Sequence, residues 1–233
     1  MKLIKNCLSK ISGDASKYNR QLILKLIEAD GNAKVLDIGC GRGDLSKEIM
    51  TSKGGKVFGI DLLVGEALRA YDKGINVVLG DIDRGLPFKD ESFDKIVSNQ
   101  VIEHVCDTDG FIKECYRVLE YGGTCVISTP NLASIHNIIS LILGYQPFST
   151  AVSNEFICGN PLDPWNERKL EAYPRHRRIF TAAALKKLFE FHGFKVVKLT
   201  GVGLHPLPLI VSKYFKWARY SLYLTIKAKK CKL

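Results

Sequence analysis

The sequence lacks the features that mark several large classes of protein. None of its apolar runs approaches the roughly 20 residues that span a bilayer, and its basic first residues contain no continuous apolar core of a signal peptide. Its seven cysteines are scattered, odd in number and never spaced as CxxC, so neither a disulfide framework nor a metal site is indicated. We therefore expect a cytoplasmic protein with reduced thiols and no bound metal.

Acidic residues are scarce in the last third of the chain. From Ala172 onwards there are 14 lysines and arginines and a single acid, Glu190. Such a surplus of positive charge favours an anionic partner, which could be a membrane surface, a nucleic acid or a phosphorylated substrate. A solvated basic face that keeps the protein soluble explains the same composition equally well. Composition leaves both interpretations open.

Apolar, strand-like runs alternate with amphipathic helical stretches through the first 130 residues. The runs are rich in β-branched residues and apolar on both faces, which is typical of strands that helices cover on both sides. They occupy residues 34–39, 56–61, 76–81, 93–99 and 124–130. We expect the helical stretch before the last of these runs to end at Gly122. The alternation predicts an α/β fold with a mostly parallel, doubly wound sheet, built as one domain over residues 1–233.

The alternation stops after Pro130. A short apolar helix and a long, proline-containing irregular stretch are expected next, forming a helical lid insertion at about residues 132–180. A further helix and two strands follow. The chain closes with a basic segment at about 204–233, in which residues 204–220 mix apolar and aromatic residues with cations. This stretch could contact an anionic membrane surface, or its apolar residues could simply cover the edge of the sheet.

Three glycines fall within five positions directly after the first predicted strand, in "KVLDIGCGRGDL". In a strand–loop–helix unit this loop lies at the carboxyl end of the sheet, where ligands bind. Because Gly39, Gly41 and Gly43 carry no Cβ, a ligand could lie against the backbone and meet the free N–H groups of the helix. The alternative is that the glycines serve only a tight strand-to-helix turn.

Acidic residues end the next two predicted strands. Asp61 could accept hydrogen bonds from both hydroxyls of a ribose, and Asp81 from an exocyclic amine such as adenine N6. Leu62 and Ile82 follow these acids and could enclose a flat base. A dinucleotide dehydrogenase is disfavoured because Asp44 stands where its glycine fingerprint needs a small residue, and an acid at a helix N-terminus would repel a pyrophosphate.

The sequence resembles class I S-adenosylmethionine-dependent methyltransferases in successive motifs. These motifs are "VLDIGCGRGDL", "GIDL", "GDID…LPFKDESFDKIVSNQVIEHV" and "LEYGGTCVISTPN". The set is most similar to a group with an E-H-V signature after strand four, which includes quinone-biosynthesis enzymes and many small-molecule methyltransferases. The resemblance implies a Rossmann-like seven-stranded sheet with an antiparallel last strand. It also implies S-adenosylmethionine as cofactor, with S-adenosylhomocysteine as product.

The resemblance also assigns cofactor contacts to residues of this sequence. It implies that the methionine end is held by Asp37, Gly39, Gly41 and Gly43, the ribose and adenine by Asp61 and Leu62, and the adenine edge by Asp81 and Ile82. Asn99 and Gln100, at the end of strand four, match positions beneath the methionyl portion.

Histidines are the candidates for proton transfer from a methyl acceptor. The cofactor is already activated, so the protein must mainly position the acceptor and exclude water, but an oxygen acceptor also has to lose a proton. We identify His104, after Glu103, and His176 as candidate bases, although either could be merely structural. The arginines flanking His176 could instead bind an anionic group of the acceptor.

Together these features predict a methyltransferase acting on a small-molecule or lipid- or glycan-linked acceptor, and two alternatives stand beside it. Nucleic-acid methylation is disfavoured because "SNQV" stands where adenine-N6 enzymes carry (N/D)-P-P-(Y/F), and no Pro-Cys pair is present. A non-catalytic protein that only binds S-adenosylmethionine is the other alternative, and the complete glycine loop and strand-end acids argue against it.

Overall fold

Strands and helices alternate along the chain in the computed structural model, which describes residues 2–169, 176–204, 207 and 217–232. The strands are β1 (Lys34–Ile38), β2 (Lys56–Asp61), β3 (Asn76–Leu79), β4 (Phe93–Asn99), β5 (Leu119–Pro130), β6 (Phe194–Val202) and β7 (Tyr223–Lys230). The helices are α1 (Lys2–Leu26), α2 (Asp44–Lys53), α3 (Val64–Asp72), α4 (Thr108–Val118), α5 (Ile135–Ile142) and α6 (Ala182–Phe191). A 3₁₀ turn, Ile82–Arg84, follows β3.

The seven strands form one sheet in the order β3-β2-β1-β4-β5-β7-β6. Pairs among β1 to β5 are parallel, whereas β7 runs antiparallel to both β5 and β6. The predicted Rossmann-like sheet with an antiparallel last strand is confirmed. Because β1 lies between β2 and β4, the winding reverses there, and a crevice opens at the carboxyl ends of the strands.

Helices cover both faces of the sheet, so its central strands are apolar on both sides. On one face Leu36 and Ile38 of β1 belong to a buried cluster with Phe111 and Ile112 of α4 and side chains of α6. On the other face the buried cluster contains Val35 of β1 and side chains of α1, α2 and α3. This two-sided burial explains why the sequence shows continuous apolar runs rather than an alternating pattern.

Some element boundaries differ from those expected from the sequence. The helix expected to end at Gly122 ends at Val118, because Leu119 already pairs with Phe93 as the first residue of β5. The strand expected over residues 76–81 ends at Leu79, since Asp81 caps the following 3₁₀ turn by accepting a hydrogen bond from the Asp83 amide. The local pattern of apolar residues indicates neither the end of α4 nor the end of β3, and strand pairing sets the end of α4.

The segment between β5 and α6 contains α5 and otherwise irregular backbone. Amide side chains tie it together: Asn137 Nδ2 donates to Ser149 Oγ at 2.7 Å, and Asn160 Nδ2 donates to Ser140 Oγ at 3.0 Å. The turn at 217–220 packs beside it, since Asn131 Nδ2 donates to the carbonyl of Arg219 at 3.1 Å. Within the described ranges, none of the helices combines the length and the apolar character needed to cross a bilayer.

Candidate active site

A cleft of about 1140 Å³ lies at the carboxyl ends of the parallel strands. It is lined by most of the residues predicted to bind the cofactor: Gly39, Gly41, Asp61, Leu62, Asp81, Ile82, Asn99 and Gln100. His104 and His176 line it as well, together with Ala151, Val152 and Asn154 from the segment after α5. The cleft therefore joins the predicted cofactor residues to the candidate bases in one continuous space.

The glycine loop adopts a left-handed backbone at all three glycines, with φ of 72°, 52° and 73° at Gly39, Gly41 and Gly43. An added Cβ would meet different obstacles at each position. At Gly39 it would lie 2.4 Å from Val101 Cγ2, and at Gly43 it would lie 2.9 Å from the Cα of Ala70, whereas at Gly41 it would meet nothing within 4 Å. Gly41 thus presents open backbone to the cleft, and Gly43, which does not line the cleft, allows α2 and α3 to pack closely.

Asp61 holds the loop in place through its carboxylate. Its Oδ2 accepts a hydrogen bond from the Gly41 amide at 2.8 Å, and its Oδ1 accepts one from the Leu63 amide at 2.9 Å. Each oxygen keeps further acceptor capacity, and the side chain remains on the cleft wall. Asp61 can therefore support the loop and still accept hydrogen bonds from a diol.

Apolar and acidic side chains lie side by side on one part of the cleft wall. Leu62 is 57% exposed and Ile82 is half-buried, although both are apolar side chains on the cleft wall. Asp81 lies beside them, with its side chain 35% exposed and 3.5 Å from the Arg84 guanidinium. An exposed leucine beside a carboxylate suits a flat, polar-edged ring such as adenine, which would cover the apolar side chains.

Asp37 does not reach the cleft wall. It is 2% exposed, and the Ser46 hydroxyl of α2 donates to its Oδ2 at 2.5 Å. Burial raises the pKa of Asp37 to about 6, opposed by the Ser46 hydrogen bond. The contact with the methionine end that the resemblance implies for Asp37 remains a prediction.

Asn99, the last residue of β4, and Gln100 after it line the cleft. Asn19 of α1 donates from Nδ2 to Asn99 Oδ1 at 3.2 Å and to Ser128 Oγ at 2.8 Å, while Thr225 Oγ1 donates to Asn19 Oδ1 at 2.8 Å. Gln100 has φ of 60°, a left-handed backbone that is uncommon for a residue other than glycine and that occurs often at functional sites. Asn19 could not be predicted as part of this network, because nothing in the local sequence distinguishes it from other helical asparagines.

Glu103, His104 and His176 lie close to one another, and the two histidines line the cleft. The two imidazole centroids are 4.9 Å apart, and the His176 Nδ1 lies 2.8 Å from the Ser149 carbonyl oxygen. Glu103 is fully buried and accepts a hydrogen bond from Thr129 Oγ1 at 3.0 Å. Burial raises the pKa of Glu103 to about 8 and lowers that of His176 from its ordinary value, so the cluster favours uncharged forms of both groups.

Hydrogen bonds to backbone carbonyls hold the described residues from 176 onwards against this cluster. The amide of Arg177 donates to the Glu103 carbonyl at 2.7 Å, and the Arg178 guanidinium donates to the Cys106 carbonyl at 2.6 Å. Arg178 is therefore engaged with backbone, whereas Arg177 lines the cleft and could meet an anionic acceptor group. Arg175, also a candidate from the sequence, lies outside the described residues.

The fold and the cleft define a class of protein. A glycine loop after β1, acids at the ends of β2 and β3, and an antiparallel β7 between β5 and β6 together fit a protein that binds an adenosyl cofactor at the carboxyl edge of its sheet. The open backbone at Gly41, the carboxylate of Asp61 and the exposed apolar side chain of Leu62 suit the methionine, ribose and adenine parts of such a ligand.

Comparison with known proteins identifies the family. Residues 36–127 match the family model described as a methyltransferase domain. A probable S-adenosylmethionine-dependent methyltransferase of Mycolicibacterium smegmatis is 31% identical over 72% of the chain. A ubiquinone biosynthesis O-methyltransferase of Pseudomonas entomophila is 33% identical over 57% of the chain. The matched region, residues 36–127, belongs to the methyltransferase domain family, and the relatives that the chain matches include S-adenosylmethionine-dependent methyltransferases, whose cofactor is S-adenosylmethionine.

The chain spans little more than half the length of these relatives. The matched regions make up 54% and 62% of the two relatives' own lengths. Among solved structures, an S-adenosylmethionine-dependent methyltransferase from Mesorhizobium loti superposes with a TM-score of 0.63, covering 94% of this chain and 99% of that one, at 17% identity. That similarity supports the fold.

Proposed function

We propose that the protein transfers the methyl group of S-adenosylmethionine to an oxygen atom of a small-molecule, lipid-linked or glycan-linked acceptor. The observation that carries the proposal is one cleft that is lined both by Gly41 and Asp61 and by His104 and His176. In-line transfer breaks the bond between sulfur and methyl carbon and forms the bond from acceptor oxygen to carbon. S-adenosylhomocysteine leaves, and the acceptor proton passes to a base.

The cofactor would lie along the carboxyl ends of β1, β2 and β3. Asp61 accepts from the ribose hydroxyls, Leu62 and Ile82 contact the adenine, and Asp81 accepts from its amino group. The methionine end lies against the open backbone of Gly41, beside Asn99 and Gln100. The hydrogen-bonded network around Asn19 supports this arrangement, because it fixes the Asn99 amide before any ligand arrives.

His176 is the better-oriented of the two proton acceptors. If its Nδ1 carries the proton and donates to the Ser149 carbonyl, its Nε2 presents a lone pair. The lowered pKa of His176 favours this neutral form near pH 7, where it can accept a proton. His104 contacts it ring to ring and provides a second acceptor in the same part of the cleft.

Oxygen is the favoured acceptor atom. Ubiquinone biosynthesis O-methyltransferases from several organisms are 30% to 34% identical to the matched part of this chain. The chemistry of the cleft agrees with that likeness, since a hydroxyl acceptor needs the proton acceptor that the paired histidines supply. Nucleic-acid methylation and cofactor binding without catalysis remain the alternatives, and no contact in the described residues favours either.

A lipid-linked acceptor would be presented at a membrane surface. Membrane contact was predicted for residues 204–220, and most of these, namely 205, 206 and 208–216, lie outside the described residues. Among those that are described, Trp217 and Arg219 are exposed. The turn that carries them is bonded to the start of α5, and Leu141 and Ile142 at the end of that helix are 59% and 78% exposed. Residues 132–154 contain no lysine, arginine, aspartate or glutamate. These features support peripheral docking on an anionic bilayer.

The test combines cofactor binding with methyl transfer. Calorimetry with S-adenosylhomocysteine should show one binding site, and radiolabelled S-adenosylmethionine should label a hydroxylated acceptor from a panel of phenols, with and without prenyl tails. His176→Ala should lower kcat and leave cofactor affinity within about twofold. Cofactor binding without labelling of any acceptor, nucleic acid included, would support the non-catalytic alternative.

Sedimentation with anionic and neutral vesicles at low salt tests the docking on a membrane. A protein that binds neither kind of vesicle would argue for a soluble acceptor.

A further inference from the structure

We propose that Glu103, His104 and His176 form a binding site for a divalent transition-metal ion at the acceptor end of the cleft. Their candidate ligand atoms, one carboxylate oxygen and two imidazole nitrogens, all lie within 4.8 Å of one another. The two imidazoles line the cleft, so an ion held there would have its remaining coordination positions open to the cleft. Nothing in the sequence spacing indicated this site, because His176 is distant in the chain from the Glu103–His104 pair.

The distances are close to those that a bound ion requires. Zinc bonds to imidazole nitrogen and carboxylate oxygen measure about 2.0–2.2 Å, which places tetrahedral ligand atoms about 3.4 Å apart. The distances between ligand atoms, at most 4.8 Å, would therefore shorten by up to about 1.4 Å on binding, a change that side-chain rotation could provide. Mixed nitrogen and oxygen ligands suit zinc, manganese, cobalt or iron rather than calcium.

Glu103 supplies an independent reason to expect a cation. Its side chain is fully buried, Thr129 occupies Oε2, and Oε1 is a buried oxygen with no hydrogen-bond partner among the described residues. Buried polar atoms almost always have a partner, and a buried oxygen that lacks one within the protein is commonly satisfied by a water molecule or an ion. A cation between Glu103 and the two imidazoles would satisfy Oε1 and balance the charge of the carboxylate.

The groups behind the cluster resemble the supporting shell of known metal sites. Metal-binding histidines commonly donate their second ring N–H to a backbone carbonyl, and metal-binding carboxylates are commonly hydrogen-bonded in turn. The His176 Nδ1 lies 2.8 Å from the Ser149 carbonyl, which leaves Nε2 to bind the ion. Thr129 Oγ1 donates to Glu103 Oε2 at 3.0 Å, which leaves Oε1 for the ion.

This site deepens the proposed function and rests on it for its role, since the ion would lie where the acceptor hydroxyl reacts. A bound cation favours the deprotonated form of a hydroxyl group. The two histidines would then serve as ligands, and the proton of the acceptor hydroxyl would pass to solvent water in the cleft rather than to an imidazole. Metal binding itself can be measured without cofactor or acceptor, so its failure would leave methyl transfer by the histidine route untouched.

The experiment titrates the chelator-treated full chain with Zn²⁺ and, separately, with Co²⁺ while following heat and visible absorption. We expect one equivalent to bind, with a cobalt spectrum of nitrogen and oxygen ligands. His104→Ala, His176→Ala and Glu103→Gln should each weaken binding at least tenfold. Thr129→Val, which removes only the supporting hydrogen bond, should weaken it to a smaller degree. Circular dichroism establishes that each variant is folded.

Two control variants separate this site from adventitious binding. Cys106 is exposed and lines the same cleft, and His192 is bonded to Asp109 away from it. Cys106→Ser and His192→Gln should bind the metal as tightly as the parent chain. The proposal is overturned if no stoichiometric binding occurs, or if His104→Ala and His176→Ala bind as the parent does. Loss of binding in Cys106→Ser alone, with a thiolate cobalt spectrum, would also overturn it.

Discussion

Replacing Asp37 with asparagine should stabilise the protein at neutral and alkaline pH. Asp37 is buried, and its pKa is raised from 3.8 to about 6. A difference of about 2 pKa units corresponds to about 3 kcal/mol, which is the cost of holding this carboxylate ionised in the folded state. The asparagine side chain would have no charge to desolvate, and its carbonyl oxygen could still accept the Ser46 hydrogen bond. The free energy of unfolding, measured by urea denaturation, should therefore rise by up to about 3 kcal/mol at pH 8.

The stability difference between Asp37→Asn and the parent protein should depend on pH. Because the folded-state pKa is the higher one, the folded protein binds the proton more tightly than the unfolded chain does. The favourable contribution of protonated Asp37 is complete below pH 3.8 and is lost as the pH rises through about 6. The difference between Asp37→Asn and the parent should thus be large at pH 8 and near zero at pH 4. Stabilities that differ equally at both values would refute the reasoning.

Ser46→Ala is the matched control for the buried carboxylate. It removes the hydroxyl that donates to Asp37 Oδ2 at 2.5 Å and leaves the charge unpartnered, so it should lower stability at pH 8 by about 1–3 kcal/mol. A second measurement on Asp37→Asn addresses function. If the carboxylate assists the methionine end of the cofactor, as the resemblance implies, affinity for S-adenosylhomocysteine should fall although the fold is stabilised. An Asp37→Asn variant that is no more stable than the parent at pH 8 would show that the charge is solvated.

The cleft and its glycine loop give three further predictions. Asp61→Asn should weaken binding of S-adenosylhomocysteine by about 1–3 kcal/mol in calorimetry, since it removes charged acceptors for the ribose, and unchanged affinity would contradict that role. Gly43→Ala should lower the free energy of unfolding by about 2–4 kcal/mol, because its new Cβ would clash with Ala70 and the residue would keep a left-handed backbone. Gly41→Ala should lower it by about 1–2 kcal/mol, from backbone strain alone. Equal losses in the two variants would show that α2 and α3 can move apart to accommodate the Cβ. Amide hydrogen exchange over residues 144–169 should slow when S-adenosylhomocysteine binds, if this segment closes over the cleft, and equal protection in both states would indicate a fixed insert.

Much of the sheet could be predicted from sequence because its strands are buried on both faces. The apolar runs at 56–61 and 93–99 match β2 and β4 residue for residue. The same logic predicted that Asp61, Asp81 and Asn99 would gather at one edge, since the carboxyl ends of parallel strands meet there, and all three line the cleft. Periodicity and glycine position could not place the end of α4, where pairing of Leu119 with Phe93 overrides the helical pattern.

Local patterns along the chain are enough to predict the class of fold, the glycine loop after β1 and the acids at the strand ends. The direction in which each polar side chain points depends on how distant segments pack together. Asp37 turns towards Ser46 beneath the loop rather than into the cleft, and Asn19 reaches Asn99 from a helix at the other end of the chain. Glu103 and His176 become neighbours through the backbone bond from Arg177 to Glu103, a contact between segments that no spacing rule connects. Such contacts depend on how helices and loops pack against the sheet, which is fixed by the sum of many weak interactions across the whole chain.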